Sequence, residues 1–337
     1  MVSSWTVALT YQVFKGLSLA LKGVEEDEAG ELAAIASRIE ADFKHYMLKT
    51  NTVPGFIYME QPNRVEYMLH TDDTNTGIHY RLLPMTRSMI SELLTPEQAE
   101  AHYQIIKEKL DCPDGVRLMN RPANYTGGVS THFKRAEQAA NFGREIGLQY
   151  VHAHIRFVEA MAKLGKEEDA WSGLAKINPI GIQEVVPNAE RRQSNAYFSS
   201  SDGKFNTRYA AQARFDELKA GTVPVKGGWR IYSSGPGIYM NQLISNCLGI
   251  RSEADVLIID PVLPKRLSGM KFQFAFDEYP VTYTYYFNQK EPHVTVNGAV
   301  VRTEAVNNRY RQGGFRILQS DIASHLTKNG NVIDIYL

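Results

Sequence analysis

The hydrophobic period of this chain changes once, near Ile250, and that change limits the fold more than any single motif does. Upstream, apolar residues recur every three or four positions, the period of a helix with one buried face. Trp5, Leu9, Val13, Leu17 and Leu21 form one stripe. Leu32, Ile35, Ala36, Ile39, Phe43, Tyr46 and Met47 form a second, behind an acidic start at Glu25 to Glu28 that suits the helix dipole. Thr95-Pro96-Glu97-Gln98 spells a capping box with proline at the first helical position, and Ala99, Tyr103, Ile106 and Leu110 follow on one face. Leu148, Val151, Ile155, Val158 and Ala162 mark another helix, and Trp171, Leu174 and Ile177 a shorter one.

Downstream the period drops to two. Val256 to Ile259 reads as a short buried strand. Phe272, Phe274 and Phe276 alternate, as do Val281, Tyr283 and Tyr285, and Val294 and Val296. Asn297-Gly298 is a hairpin signal, and Phe315 to Leu318 and Val332 to Tyr336 complete a set of strands. The expectation is a mainly α chain with a β cap of roughly 80 residues, a β-sandwich, divided as 1–250 and 251–337. Polar stretches at 51–80, 111–133 and 179–228 read as long loops, and long loops on a helical scaffold usually build a binding face.

Charge narrows the partners. Lys+Arg and Asp+Glu both number 37, so no basic excess points to nucleic acid or to an anionic membrane. No run is apolar enough to span a bilayer. Met1-Val2-Ser3-Ser4 carries no basic leader and runs straight into the first helix, so it is not a signal peptide. Cys112 and Cys247 lack metal spacing, which fits a reduced, cytoplasmic protein without a metal site. Aromatics at 10%, including 18 Tyr, suit a polar ligand such as a sugar and equally suit an ordinary core.

One segment suggests an anion. Gly227-Gly228-Trp229-Arg230-Ile231-Tyr232-Ser233-Ser234-Gly235-Pro236-Gly237 places hydroxyls and glycines before an apolar helix from Ile238 to Leu248. Backbone N–H groups at a helix mouth approach phosphate closely, and the dipole favours negative charge. A plain turn has the same composition.

Three further segments belong with it: Arg144-Glu145-Ile146-Gly147-Leu148-Gln149-Tyr150-Val151-His152-Ala153-His154, Ile177-Asn178-Pro179-Ile180, and Asp260-Pro261-Val262-Leu263-Pro264. In this order and spacing the chain resembles the cellobiose-phosphorylase-like enzymes, glycoside hydrolase family 94. The resemblance implies the second half of an (α/α)6 barrel followed by a small C-terminal β-sandwich. Tyr80 to Ile90, His132 to Gln138 and Asn195 to Phe205 resemble members acting on β-1,2-linked glucose. The implied reaction is phosphorolysis of a β-1,2-gluco-oligosaccharide by inorganic phosphate, with no cofactor, giving α-glucose 1-phosphate with inversion. The full-length enzyme of such a family can be a homodimer.

By the same resemblance His152 binds phosphate, and Ser233 and Ser234 line it. Arg144 and Glu145 shape the sugar subsite. Here Ile146 stands where the family has Asn, Leu148 where it has Gly, and Ser234 where it has Gly. Arg81, Arg87, Arg135, Arg191 and Arg192 are candidate clamps for sugar or phosphate, although loop arginines are usually solvated. Tyr197, Phe198, Trp229 and Tyr239 are candidate stacking partners for a pyranose, although buried aromatics more often pack. His152 lies between the stripe positions Leu148 and Ile155, where a satisfied core histidine also fits; His154 has the weaker claim.

The family's general acid is an aspartate in an Asp-Trp-Asn-Asp motif. None of Trp5, Trp171 and Trp229 sits in one. The resemblance therefore implies the C-terminal part of a longer enzyme, beginning past its catalytic acid and inactive alone. The alternatives are a non-catalytic glucan-binding or interaction module and, ranked lower, a hydrolase drawing a catalytic pair from Glu145, Glu184 and Asp202.

Overall fold

The computed structural model describes residues 1–61, 64–122, 149–192, 198–228 and 234–337. They divide into two compact units, Met1–Ala160 with Gly173–Ile238, and Met161–Ser172 with Tyr239–Leu337. In the first, strand β1 (Val2–Ser3) leads into α1 (Ser4–Leu21), and α2 (Glu26–Asp42) folds back on it before widening into a π-turn at Phe43–Met47. The two helices approach through small residues, with Ala8, Ala29 and Ala36 buried, and Ser18 Oγ donates to the Ala29 carbonyl at 2.8 Å.

The buried face of α1 is not the expected stripe. Ser4, Ala8 and Tyr11 are buried, whereas Val13 and Leu17 are each 48% exposed. A strict four-residue step overshoots a full turn by roughly 40°, so from Trp5 to Leu21 the stripe drifts roughly 160° around the helix. The second stripe holds better, burying Ala36, Phe43 and Met47.

Helix α3 (Leu82–Ile90) is buried on nearly every side, and α4 (Pro96–Lys109) begins with the expected capping box. Thr95 Oγ1 accepts from the Gln98 N–H at 3.2 Å, and Gln98 Oε1 accepts from the Thr95 N–H at 2.9 Å. The stretches read as loops contain regular structure. Strands β2 (Phe56–Gln61) and β3 (Arg64–Met68) join β1 in one sheet, and β4 (Asp111–Cys112) pairs with β5 (Gly115–Val116). The aromatic and β-branched run from Phe56 to Tyr58 carried that signal.

Strand β6 (Gln149–Tyr150) runs directly into α5 (Val151–Leu164), which α6 (Glu167–Ala175) follows. Between 179 and 228 lie a helical turn α7 (Ile182–Val185), strand β7 (Ser200–Gly203), two short helices (α8, Arg208–Ala213; α9, Asp216–Lys219) and strand β8 (Val225–Gly228). Strands β6, β7 and β8 form a sheet in that order. Helix α10 (Ser234–Asn241) starts four residues earlier than the apolar pattern suggested and passes into a π-turn at Gln242–Cys247.

The second unit is β-rich, in agreement with the expected β-sandwich. One sheet orders β9 (Ile250–Glu253), β10 (Val256–Ile259), β16 (Phe315–Leu318) and β15 (Glu304–Ala305). The other orders β11 (Lys271–Gln273), β12 (Val281–Tyr286), β17 (Asn331–Tyr336), β13 (His293–Val296) and β14 (Ala299–Val300). Val281, Tyr283, Tyr285, Val294, Val296, Ile333 and Ile335 are buried, as period-two alternation requires. Asn297 and Gly298 take positive φ of 49° and 84° between β13 and β14, the left-handed pair of a tight hairpin. The phenylalanine alternation extends less far. The strand ends at Gln273, Phe274 is 41% exposed, and only Phe276 is buried. Among the described residues no closed barrel of helix pairs is present.

Candidate functional site

His152 is the one member of the expected phosphate set whose side chain the structure describes. The Val151 N–H donates to the Ser199 carbonyl at 3.1 Å, fixing the start of α5 against the strand that becomes β7. His152, the next residue, is half-buried, and its ring stacks on Tyr150 at 5.9 Å with 14° between planes. Burial lowers its pKa, and the positive charges of Arg156 and Arg87 lower it further. The imidazole is therefore neutral at pH 7, a donor or acceptor rather than a charge.

Arg156 follows His152 by four residues, one turn along the same face. Its Nη1 donates to Glu159 Oε2 at 2.6 Å. Arg87 lies on α3 and is 6% exposed. Its Nη1 donates to Gln12 Oε1, on α1, at 2.8 Å. Two positive charges, Arg156 of α5 and Arg87 of α3, thus act on His152, and Gln12 of α1 holds the second of them.

The other expected residues fall in different places. Arg81 takes the extended position just before α3, and its guanidinium lies over the Phe56 ring at 4.6 Å. Ser234 opens α10. Arg144, Glu145, Tyr197, Trp229 and Ser233 lie outside the described residues, as do Arg135 and the His132 to Gln138 segment. Phe198 is 1% exposed and packs under the Arg192 guanidinium at 5.2 Å, so it is a core aromatic and not a sugar platform. Glu184 is exposed on α7. Asp202 lies within β7.

Gly227 and Gly228 have a packing role within β8. A Cβ on Gly228 would collide with Ser200 Oγ, and one on Gly227 would sit 2.8 Å from Arg192 Cδ. Absence of a side chain here lets Ser200 and Arg192 close on the strand.

Sequence reasoning missed a buried polar network beneath that sheet. Arg117 is 1% exposed and forks onto Asp114 with contacts of 2.9 and 3.1 Å. Ser201 Oγ donates to Asp114 Oδ2, and Arg192 Nη2 donates to Ser201 Oγ at 3.4 Å. Burial opposes the Arg117 charge, but Asp114 outweighs it and raises the pKa. In the same region burial pushes Asp202 up to about 6, against the pull of Arg117 and Lys226. Asp114 and Ser201 are 87 residues apart, so no local motif announces the contact.

His154 is structural. Its Nδ1 accepts from the Val116 N–H at 3.1 Å, and its Nε2 donates to the Gly173 carbonyl at 2.9 Å. Burial pushes its pKa down to about 4. His102 on α4 behaves alike, with Nε2 accepting from the Val53 N–H at 3.0 Å and Nδ1 donating to the Gln98 carbonyl at 2.7 Å.

Known proteins place this architecture. Residues 249–336, which span the β-rich strands, match a family model described as a glycoside phosphorylase C-terminal domain. Over 325 residues it is 54% identical to a 1,2-beta-oligoglucan phosphorylase of Listeria innocua serovar 6a (strain ATCC BAA-680 / CLIP 11262), covering 96% of this chain and 29% of that relative. Over 189 residues it is 27% identical to the cyclic beta-(1,2)-glucan synthase NdvB of Rhizobium meliloti (strain 1021), covering 56% of this chain and 6% of that protein. The chain therefore spans 29% and 6%, respectively, of the lengths of the curated relatives it matches. No helix among the described residues is long and apolar enough to cross a membrane.

Proposed function

We propose that this chain is the C-terminal part of an inverting glycoside phosphorylase of family 94. Its substrates are β-1,2-gluco-oligosaccharides and inorganic phosphate, and its product is α-glucose 1-phosphate. The observation that carries this reading is the similarity across 96% of the chain to a 1,2-beta-oligoglucan phosphorylase. The helical unit is read as part of an (α/α)6 barrel whose remaining helices come from outside this chain. The protein is cytoplasmic in this reading.

In an inverting phosphorylase, phosphate takes the place of the activated water of an inverting hydrolase. A carboxylic acid protonates the glycosidic oxygen while a phosphate oxygen attacks the anomeric carbon from the opposite face. The bond from the anomeric carbon to the leaving oxygen breaks, and the departing sugar keeps the proton as its hydroxyl. His152 and the Ser233-Ser234 pair hold the phosphate in this reading. Arg144, Glu145, Arg81, Tyr197 and Trp229 hold the sugars.

The chain has no Asp-Trp-Asn-Asp segment, so the proton donor is supplied from elsewhere. Without it the leaving oxygen would depart as an alkoxide, and general-acid catalysis is worth roughly two to four orders of magnitude in rate. The purified chain given sophorotriose and phosphate is expected to release no appreciable glucose 1-phosphate. Adding the part of the Listeria relative that this chain does not cover is expected to restore release. Release by the chain alone would assign the acid to a carboxylate within it; no release from the complemented pair would remove the reading.

A further inference from the structure

The pair of charges that acts on His152 contains an anomaly. Arg87 is 6% exposed, yet among the described residues it makes no ion pair. Among the described residues its one hydrogen bond runs to the neutral amide oxygen of Gln12, and its Nε is buried without a hydrogen-bond partner. In the same unit Arg117 is compensated by Asp114, and Arg192 donates to the carbonyls of Glu190 and Val225, although the Nε of each is also without a partner among these residues. The nearest negative influence on Arg87 is Glu159, and that carboxylate is already hydrogen-bonded to Arg156. Burying a guanidinium without a counter-charge is unfavourable unless something charged completes it.

We propose that Arg87 is a phosphate-holding residue of the site that His152 marks, with Arg156 supplying the second positive charge. This rests on the phosphorylase reading and assigns Arg87, until now only one of five candidate clamps, to the phosphate. The glucan substrate is neutral and needs no cation; only the phosphate does. His152 is neutral at pH 7, so the charge that balances a dianion has to come from its neighbours. The two arginines whose charges act on it are Arg156, one turn along α5, and Arg87 of α3. Arg156 shares its charge with Glu159, whereas Arg87 offers an unused Nε–H and a whole positive charge. The fork of a guanidinium matches phosphate oxygens, and a neutral His152 completes the set as a hydrogen-bonding partner. Glu159 opposes a bound anion, and its ion pair with Arg156 limits that repulsion.

The test is a titration of the chain with inorganic phosphate at constant ionic strength, read by calorimetry and by the NMR shift of the His152 ring protons. Wild type is expected to bind, with the His152 pKa rising as the anion arrives. Arg87→Gln is expected to weaken binding at least tenfold and to suppress that rise. Arg87→Lys, which keeps a charge but loses the fork, is expected to fall between, and Arg38→Gln on the exposed face of α2 is expected to match wild type. Phosphate affinity in Arg87→Gln equal to that of wild type, or no phosphate binding by the wild-type chain, overturns the proposal. Its failure is distinct from failure of the phosphorylase reading. Glucose 1-phosphate release by the complemented enzyme with an unchanged KM for phosphate in Arg87→Gln would leave the reading and remove Arg87. Arg87-dependent phosphate binding without release would do the reverse.

Discussion

Each compact unit buries charge, and two of those charges, Asp260 and Arg87, are treated in opposite ways. In the β-rich unit Asp260 is 4% exposed and its carboxylate is saturated. Arg311 reaches it through Nη1 at 2.8 Å and Nη2 at 2.9 Å, the Gly314 N–H at 2.8 Å and Arg251 Nη2 at 3.3 Å. Burial pushes its pKa up, but Arg311, Gly314 and Arg251 together outweigh this and leave it below the ordinary carboxylate value. In the helical unit Arg87 is nearly as deeply buried, and among the described residues its hydrogen-bond partner is a neutral amide. A saturated buried charge ties a fold together, whereas an unsaturated one marks a place where the fold is completed by something else. The Asp260-Pro261 run belongs to the family resemblance, and Asp260 joins segments 51 residues apart through its contact with Arg311. Gly249 belongs to the same arrangement, because with φ of 74° a Cβ there would collide with the backbone at Asp260 and Pro261.

The largest expected effect follows from the saturated side. Asp260→Ala strands Arg311 and the Gly314 N–H, and breaking a buried pair from one side typically costs about 3–5 kcal/mol. Urea unfolding followed by tyrosine and tryptophan fluorescence gives the number, and a loss below about 1 kcal/mol would erase the distinction between the two clusters. The pH dependence has a defined sign. The folded pKa of Asp260 lies below its unfolded value, so its contribution is complete above the unfolded value of about 3.9 and is lost as pH falls through the folded value.

A second effect of similar kind sits in the helical unit and separates by pH. His154 is neutral in the native state because one ring nitrogen must accept and the other must donate. Its pKa falls from the ordinary 6.5 to about 4. The contribution is therefore present above about 6.5 and is lost as pH falls toward 4, amounting to about 3 kcal/mol. Unfolding midpoints measured between pH 7 and pH 4 should decline through that window in wild type and decline less in His154→Gln. A wild-type profile flat down to pH 4.5 would show that His154 tolerates protonation and that its burial is not closed.

Much of this was legible in the chain and some was not, for reasons that can be assigned. The capping box at Thr95, the Asn297-Gly298 hairpin and the alternation at Tyr283 and Tyr285 are local signals, set by residues within a few positions of one another, and each appears as expected. The α1 stripe failed because spacing of four drifts around a helix, and Ser4 and Ala8 carried the buried face without looking apolar enough to be noticed. The strands inside 51–80 and 179–228 were hidden by the polar residues around them. Of the proposed site, the register that nominates His152 is local to one segment of the chain. The Arg87 environment is not, because it depends on Gln12 and on residues of α5, and a buried arginine looks like a solvated one in sequence.

The smallest expected effect is the one that most sharply divides the clusters. Arg87→Met keeps the length and apolar volume of the side-chain stem and removes the guanidinium. It forfeits the hydrogen bond to Gln12, a net contribution of about 1 kcal/mol. It also removes a desolvated positive charge with no counter-ion, and replacing buried charged groups by apolar ones of similar volume is often neutral or stabilising. The two terms oppose each other, so in phosphate-free buffer the unfolding free energy should change by no more than about 1 kcal/mol in either direction. Adding phosphate should then separate the proteins, because a ligand that binds only the native state stabilises wild type in proportion to the logarithm of its occupancy and leaves Arg87→Met behind. If Arg87→Met instead costs as much as Asp260→Ala with no phosphate present, Arg87 is a structural residue whose compensation lies in its packing. The contrast between a saturated and an unsaturated buried charge would then no longer distinguish scaffold from site in this chain.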